Sequence, residues 1–238
     1  MVHRALITHL TRELSARADP VKAPQMRAYM KSEMPFRGVQ TPGLRAASAI
    51  VFAAHPLDSF DDWRDTAQAL WRGAKYREDR TAAILLTGQR RYADHQTLAA
   101  LPLYEEFIVT GAWWDFVDAV AGHRLGELLR RYQAPMTRTM RAWSKSPDMW
   151  KRRSSIICQL TFKRETDLAL LYGCIEANLE DRQFFIRKAI GWALRQYAWT
   201  DPAEVRRYVA RNRDRLSALS VREALKNVPA LTLLVVFW

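Results

Sequence analysis

Apolar residues recur at three- and four-residue spacing through 63–70, 104–109, 124–132 and 184–197, the period of helices that bury one face. Strict alternation of apolar and polar positions is missing, as are the Asn-Gly turns of hairpins. The ten prolines, at 20, 24, 35, 42, 56, 102, 135, 147, 202 and 229, fall at the edges of the periodic stretches, where first-turn and turn residues belong. The pattern predicts helices throughout. With 49% hydrophobic and 26% charged residues, the 238-residue chain has the composition of a folded protein with a substantial core.

A short motif also repeats: arginine, one variable residue, then small or aliphatic residues. It occurs as Arg45-Ala-Ala-Ser, Arg80-Thr-Ala-Ala, Arg153-Ser-Ser-Ile, Arg187-Lys-Ala-Ile and Arg222-Glu-Ala-Leu, at spacings of 35, 73, 34 and 35 residues. The gap of 73 holds two units, and Asp118-Ala-Val-Ala divides it into 38 and 35. Two helices per unit at this period predict an all-α superhelical solenoid of about six HEAT-like repeats, with equivalent residues aligned along one concave face. A single domain over 1–238 is expected. The apolar run from Leu231 to Trp238 is expected to be a C-terminal tail, 229–238, that caps the last repeat. It is too short to cross a bilayer.

Charge narrows the partner. There are 37 Lys and Arg against 25 Asp and Glu, a formal net charge of +12. Much of the excess is arginine, so the concave face is expected to be basic and to take a polyanion, nucleic acid ahead of a membrane surface. A protein-binding scaffold has less use for this charge, although an acidic protein partner fits it. A base-reading RNA repeat would need regular code positions that the units lack. Cys158 and Cys174 sit in apolar helical patterns without metal-ligand spacing, and His3, His9, His55, His95 and His123 are scattered. No metal site or cofactor is expected. The polar, amphipathic N-terminus lacks a signal-peptide core, so a cytoplasmic location is expected, nucleoid-associated when DNA is bound. A monomer is expected, since a solenoid with a nucleic-acid groove is sufficient alone.

Asp118 puts an acid where the other units carry arginine. An acid weakens phosphate binding, so it needs another reason to be there: a local salt bridge, or chemistry. Trp114 lies four residues before it, on the same helical face. An aromatic wall beside a carboxylate receives a cation. Trp192, between the small Gly191 and Ala193, is expected to have space around its indole. A purine alkylated at N3 or N7 is cationic, and its departure leaves a cationic oxocarbenium-like sugar. Asp118 is placed to stabilise that charge and to orient the attacking water, and the activated leaving group needs no strong general acid.

The runs Phe36-Arg-Gly-Val-Gln40-Thr41-Pro42, Trp113-Trp-Asp-Phe-Val-Asp118 and Lys188-Ala-Ile-Gly-Trp192-Ala-Leu-Arg195, in this order and spacing, resemble the AlkD-type DNA alkylation repair proteins. These are bacterial glycosylases for 3-methyladenine and 7-methylguanine. The resemblance implies a monofunctional DNA glycosylase of base excision repair, acting on double-stranded DNA without conventional base flipping. It implies Asp118 as the catalytic carboxylate, with Trp114 and Trp192 contacting lesion and deoxyribose. It places Arg153 on the DNA backbone near the lesion, and Tyr29, Gln40, Thr41 and Arg195 on the DNA-facing surface. Relatives often carry lysine where this chain has Thr161, so one backbone contact is expected to be missing. The alternative is a non-catalytic relative that binds damaged or branched DNA.

Overall fold

The computed structural model describes residues 1–228, and every regular element among them is helical. The expected apolar tail, 229–238, lies outside the described residues. Contacts group the chain into two compact units, Met1–Gly111 and a second that begins at Ala112. The first holds α1 (Arg4–Ala16), α2 (Lys22–Met30), α3 (Thr41–Ala54), α4 (Phe60–Arg72), α5 (Arg77–Thr87) and α6 (Leu101–Gly111). The second opens with α7 (Trp114–Ala119) and α8 (Gly126–Arg131), joined by a π-helical stretch, Val120–Leu125, into one unbroken helix. It continues with α9 (Gln133–Trp143), α10 (Met149–Ile157) and α11 (Leu168–Glu176). Helices α12 (Phe184–Ala198), α13 (Pro202–Arg211) and α14 (Ala218–Ala224) complete it.

The helix starts are written in local chemistry. Ser59, Asp148, Asp167, Asp201 and Ser217 each turn a side-chain oxygen onto a first-turn backbone N–H, capping α4, α10, α11, α13 and α14. Each such cap stabilises its helix by about 1 kcal/mol. Pro42 and Pro202 occupy the first turns of α3 and α13, where a missing N–H costs nothing.

The repeat read from the arginines is present in the backbone. Helices α3, α5, α7, α10, α12 and α14 begin at Thr41, Arg77, Trp114, Met149, Phe184 and Ala218, at spacings of 36, 37, 35, 35 and 34 residues. Arg45, Arg80, Asp118, Arg153, Arg187 and Arg222 each fall on the fourth or fifth residue of one of these helices. Within the first unit α3 packs against α1 and α5; within the second α10 lies against α7 and α12, and α12 against α14. The all-α architecture of paired helices at a HEAT-like period therefore holds.

Leu6, Leu10, Leu14, Phe52, Trp63, Trp71 and Phe107 form the buried core of the first unit, and Phe116, Leu128, Met140, Ile157, Leu194 and Val205 are buried in the second. Cys158 and Cys174 are free, fully buried thiols. Burial pushes Cys174 up to about 11, which leaves it protonated and unreactive at neutral pH.

Gly191 lets α12 approach α14. A Cβ there would come within 2.5 Å of the Glu223 Cβ and 2.9 Å of the Ser220 carbonyl oxygen. Gly191→Ala is expected to destabilise the protein by about 1–3 kcal/mol through overpacking. The urea midpoint should fall with its slope unchanged, and an unmoved midpoint would show that α12 and α14 are free to part.

Candidate functional site

The second unit brings three repeat positions together around one guanidinium. Arg153, on the second turn of α10, donates from Nε to Asp118 Oδ1 at 2.7 Å and from Nη2 to Asp118 Oδ2 at 2.8 Å. Its Nη1 donates to the Phe185 carbonyl oxygen at 2.6 Å. This is the fork-to-fork geometry that fixes a carboxylate in position as well as pairing its charge. The Arg153 side chain is 5% exposed and that of Asp118 15%. The guanidinium carbon lies 6.0 Å from the Trp192 ring centre and 5.9 Å from that of Phe185.

Burial pushes the Asp118 carboxyl above its ordinary value, with a smaller push from Asp115, while hydrogen bonds and charge from Arg153 hold it down. Removing a carboxylate from water disfavours its charged form, and here the hydrogen bonds and charge of a fixed cation oppose this. Of the roughly four lone-pair directions on a carboxylate, the arginine occupies two. The others remain for a cation or a water.

An aromatic cluster stands beside this pair. Trp113, the residue before α7, meets Phe185 edge-on at 5.4 Å and Trp150 at 6.3 Å, and Trp150 meets Phe185 at 5.1 Å. The buried indole N–H of Trp113 has no hydrogen-bond partner. Trp150 and Phe185 are one repeat apart, as are the arginines, so the same 35-residue spacing carries their signal. Among the described residues, no three His, Cys, Asp or Glu side chains gather as metal ligands. No described helix is long and apolar enough to cross a membrane.

The sequence model of the DNA alkylation repair enzyme family matches residues 10–228. The chain belongs to that family. A solved structure described as a predicted DNA alkylation repair enzyme from Enterococcus faecalis is similar to it, with a TM-score of 0.79 and 28% identity, over 88% of this chain and 96% of that one. A search of curated proteins returns no match.

In this alkylation repair protein the sequence-derived site residues fall into three groups. In the first, Arg153 bonds Asp118 and lies with its guanidinium carbon 6.0 Å from the Trp192 ring centre. Trp114 opens α7 one turn before Asp118 and is partly exposed. Arg195, on α12, pairs with Glu223 at 2.7 Å and keeps 27% of its side chain exposed. Tyr29, Gln40 and Thr41 belong to the first unit, and all three are exposed, Tyr29 to 77%.

The 36–42 motif proves to be a clamp. The buried Glu78 carboxylate accepts the backbone N–H groups of Arg37, Gly38 and Val39 at 3.1, 2.9 and 3.1 Å, and Arg37 pairs with Asp79 at 2.5 Å. Gln40 and Thr41 are thereby set at the start of α3. Near Thr161, α8 supplies a cation. Arg130 donates to the Thr161 carbonyl oxygen at 3.0 Å, with its guanidinium 3.9 Å from the Phe162 ring centre.

Proposed function

We propose that this member of the DNA alkylation repair family is a monofunctional glycosylase that hydrolyses the N-glycosidic bond of cationic N3- and N7-alkylated purines in double-stranded DNA. One observation carries the reading: the single acidic rung of the repeat, Asp118, is held by Arg153 in a largely buried site beside Trp192. A family acting on alkylated DNA meets a substrate whose base is already a cation and whose sugar becomes one. The fixed carboxylate stabilises the developing sugar charge and aligns the water that attacks it, without reorganising at the moment of reaction. Trp192, and Trp114 one turn ahead, supply ring faces for the lesion's positive charge and the deoxyribose.

Arg153 contributes first by position. Its hydrogen bonds and charge favour the ionised form of Asp118 against the pull of burial. A guanidinium has five N–H groups, of which three are committed to Asp118 and Phe185. The other two are proposed to meet a lesion-flanking phosphate, which must press close over a side chain that is 5% exposed. Arg195, Tyr29, Gln40 and Thr41 are proposed as further DNA contacts. The reaction is proposed to proceed without drawing the base into an enclosing pocket.

The test is release of free 7-methylguanine from duplex DNA under single-turnover conditions, with no release overturning the proposal. The same assay carries a pH signature. Because Asp118 must be ionised and burial holds its carboxyl above the ordinary value, enzymatic release is expected to fail on acidification at a pH above the usual aspartate range. An acid limb at or below that range would remove Asp118 from the rate-determining ionisation.

A second reading, a non-catalytic DNA-binding relative, draws on the same pair, since both Asp118 oxygens are satisfied internally. It predicts salt-sensitive binding to duplex DNA with no base release.

A further inference from the structure

Helix α12 carries more of a nucleic-acid surface than the residues assigned to the lesion. Lys188, Trp192, Arg195 and Trp199 are spaced by four, three and four residues, which places them along one face of a helix. Trp199 continues the helical backbone past Ala198, with φ −66° and ψ −21°. Two of the four are cations, and Glu223 of α14 holds both, Lys188 at 3.2 Å and Arg195 at 2.7 Å. Trp192 faces the Arg153–Asp118 pair. Trp199 is 73% exposed, a large area for an indole with no packing role at that end of the helix.

Beside Trp199 the turn 161–165 completes an open groove of about 500 Å³, lined also by Thr161, Lys163 and Arg164. Lys163 has a left-handed backbone, φ 54°, which for a non-glycine costs roughly 1–2 kcal/mol. Lys163 and Arg164 are exposed. The acid of this turn, Glu165, is taken by Arg130 at 3.1 Å. The groove therefore presents a bare indole beside two cations, and its Trp199 shares α12's helical register with Trp192 of the candidate site.

We infer that α12 tracks one DNA strand away from the lesion, with the Trp199 indole against a deoxyribose or base edge and Lys163 and Arg164 on the adjoining phosphates. The length fits. Seven helical residues separate Trp192 from Trp199, a rise of about 10 Å. At about 3.4 Å per nucleotide along a strand, this spans about three nucleotides. The inference rests on the proposed lesion site around Asp118 for its register.

The test measures binding in the Asp118→Asn background, so that the lesion persists, on duplexes that extend well past a 7-methylguanine on both sides or are trimmed close to it on one. Trp199→Ala is expected to weaken binding to the long duplex by about fivefold to tenfold, the scale of losing one aromatic–nucleotide contact, with its salt dependence unchanged. The loss should vanish when the DNA is trimmed on one particular side. Lys163→Asn with Arg164→Gln should lower the salt slope by about one to two phosphate contacts. Asparagine tolerates the left-handed backbone, so the turn is kept.

Parent-like binding by Trp199→Ala, or a loss indifferent to which side is trimmed, overturns the inference. Base release by the parent is read separately. Release with no Trp199 effect rejects the strand path alone; a Trp199 effect without release rejects the chemistry at Asp118 and leaves the strand path standing.

Discussion

Asp118→Asn is expected to lower base release by about 10²–10³-fold or more, the scale of losing one preorganised charge contact in a transition state. DNA affinity should be kept or improved. The substitution is nearly isosteric, so the amide can still accept a hydrogen bond from the Arg153 fork, which now donates to a neutral group. On the proposed mechanism, what disappears is the negative charge that stabilises the developing sugar cation. Loss of an acid from a chain of formal charge +12 also removes a repulsion toward phosphate. Single-turnover release and binding, measured on the same preparation, separate the two effects. Release at the parental rate would mean that Asp118 is only an ion-pair partner.

Arg153→Gln is expected to cost about 3–5 kcal/mol of stability, the penalty for stranding one member of a buried ion pair. The side chain it removes is 5% exposed and also bonds the Phe185 carbonyl oxygen, so α10 loses a tie to α7 and another to α12. The stranded Asp118 loses the cation that opposes burial, and its carboxyl moves higher still, shifting any acid limb of the rate toward neutrality. Combining Arg153→Gln with Asp118→Asn should recover much of the stability and none of the base release, because two neutral amides do not need each other's charge. Urea unfolding of the four proteins in the cycle measures this. A single variant as stable as the parent would show that water replaces the guanidinium and that the site is wetter than its burial implies.

Much of this was legible beforehand because a repeat writes the same information several times. The arginines at 45, 80, 153, 187 and 222 and the acid at 118 mark the fourth or fifth residue of successive second helices, so one misread copy is corrected by the others. Pairing between copies was not legible. Nothing in the period states that Asp118 takes both hydrogen bonds from the arginine of the next unit, or that Arg195 and Lys188 converge on Glu223. Those contacts depend on how helices 28 to 35 residues apart face each other, and composition is silent on that. Trp113, Trp150 and Phe185 were missed for a related reason: each reads as ordinary core until its neighbours in space are known. The 36–42 run was recognised by its residues, whereas its cause, three backbone N–H groups on one Glu78 carboxylate, becomes visible only in the fold.

The π-helical stretch 120–125, immediately after Asp118, separates two histories within one helix. A ring closed over five residues holds one more than the α-helical turn, as though the 114–131 helix had absorbed a single-residue insertion without breaking. Each added residue rotates the N-terminal half of such a helix by about 100° relative to its C-terminal half. Trp114 and Asp118 are thus phased independently of Leu128 and Leu129, which are buried further along the same helix. The edge bearing Asp118 and the packing edge of this helix can drift apart in evolution, and a relative with a different number of residues here would carry its acid at another register while keeping the same core.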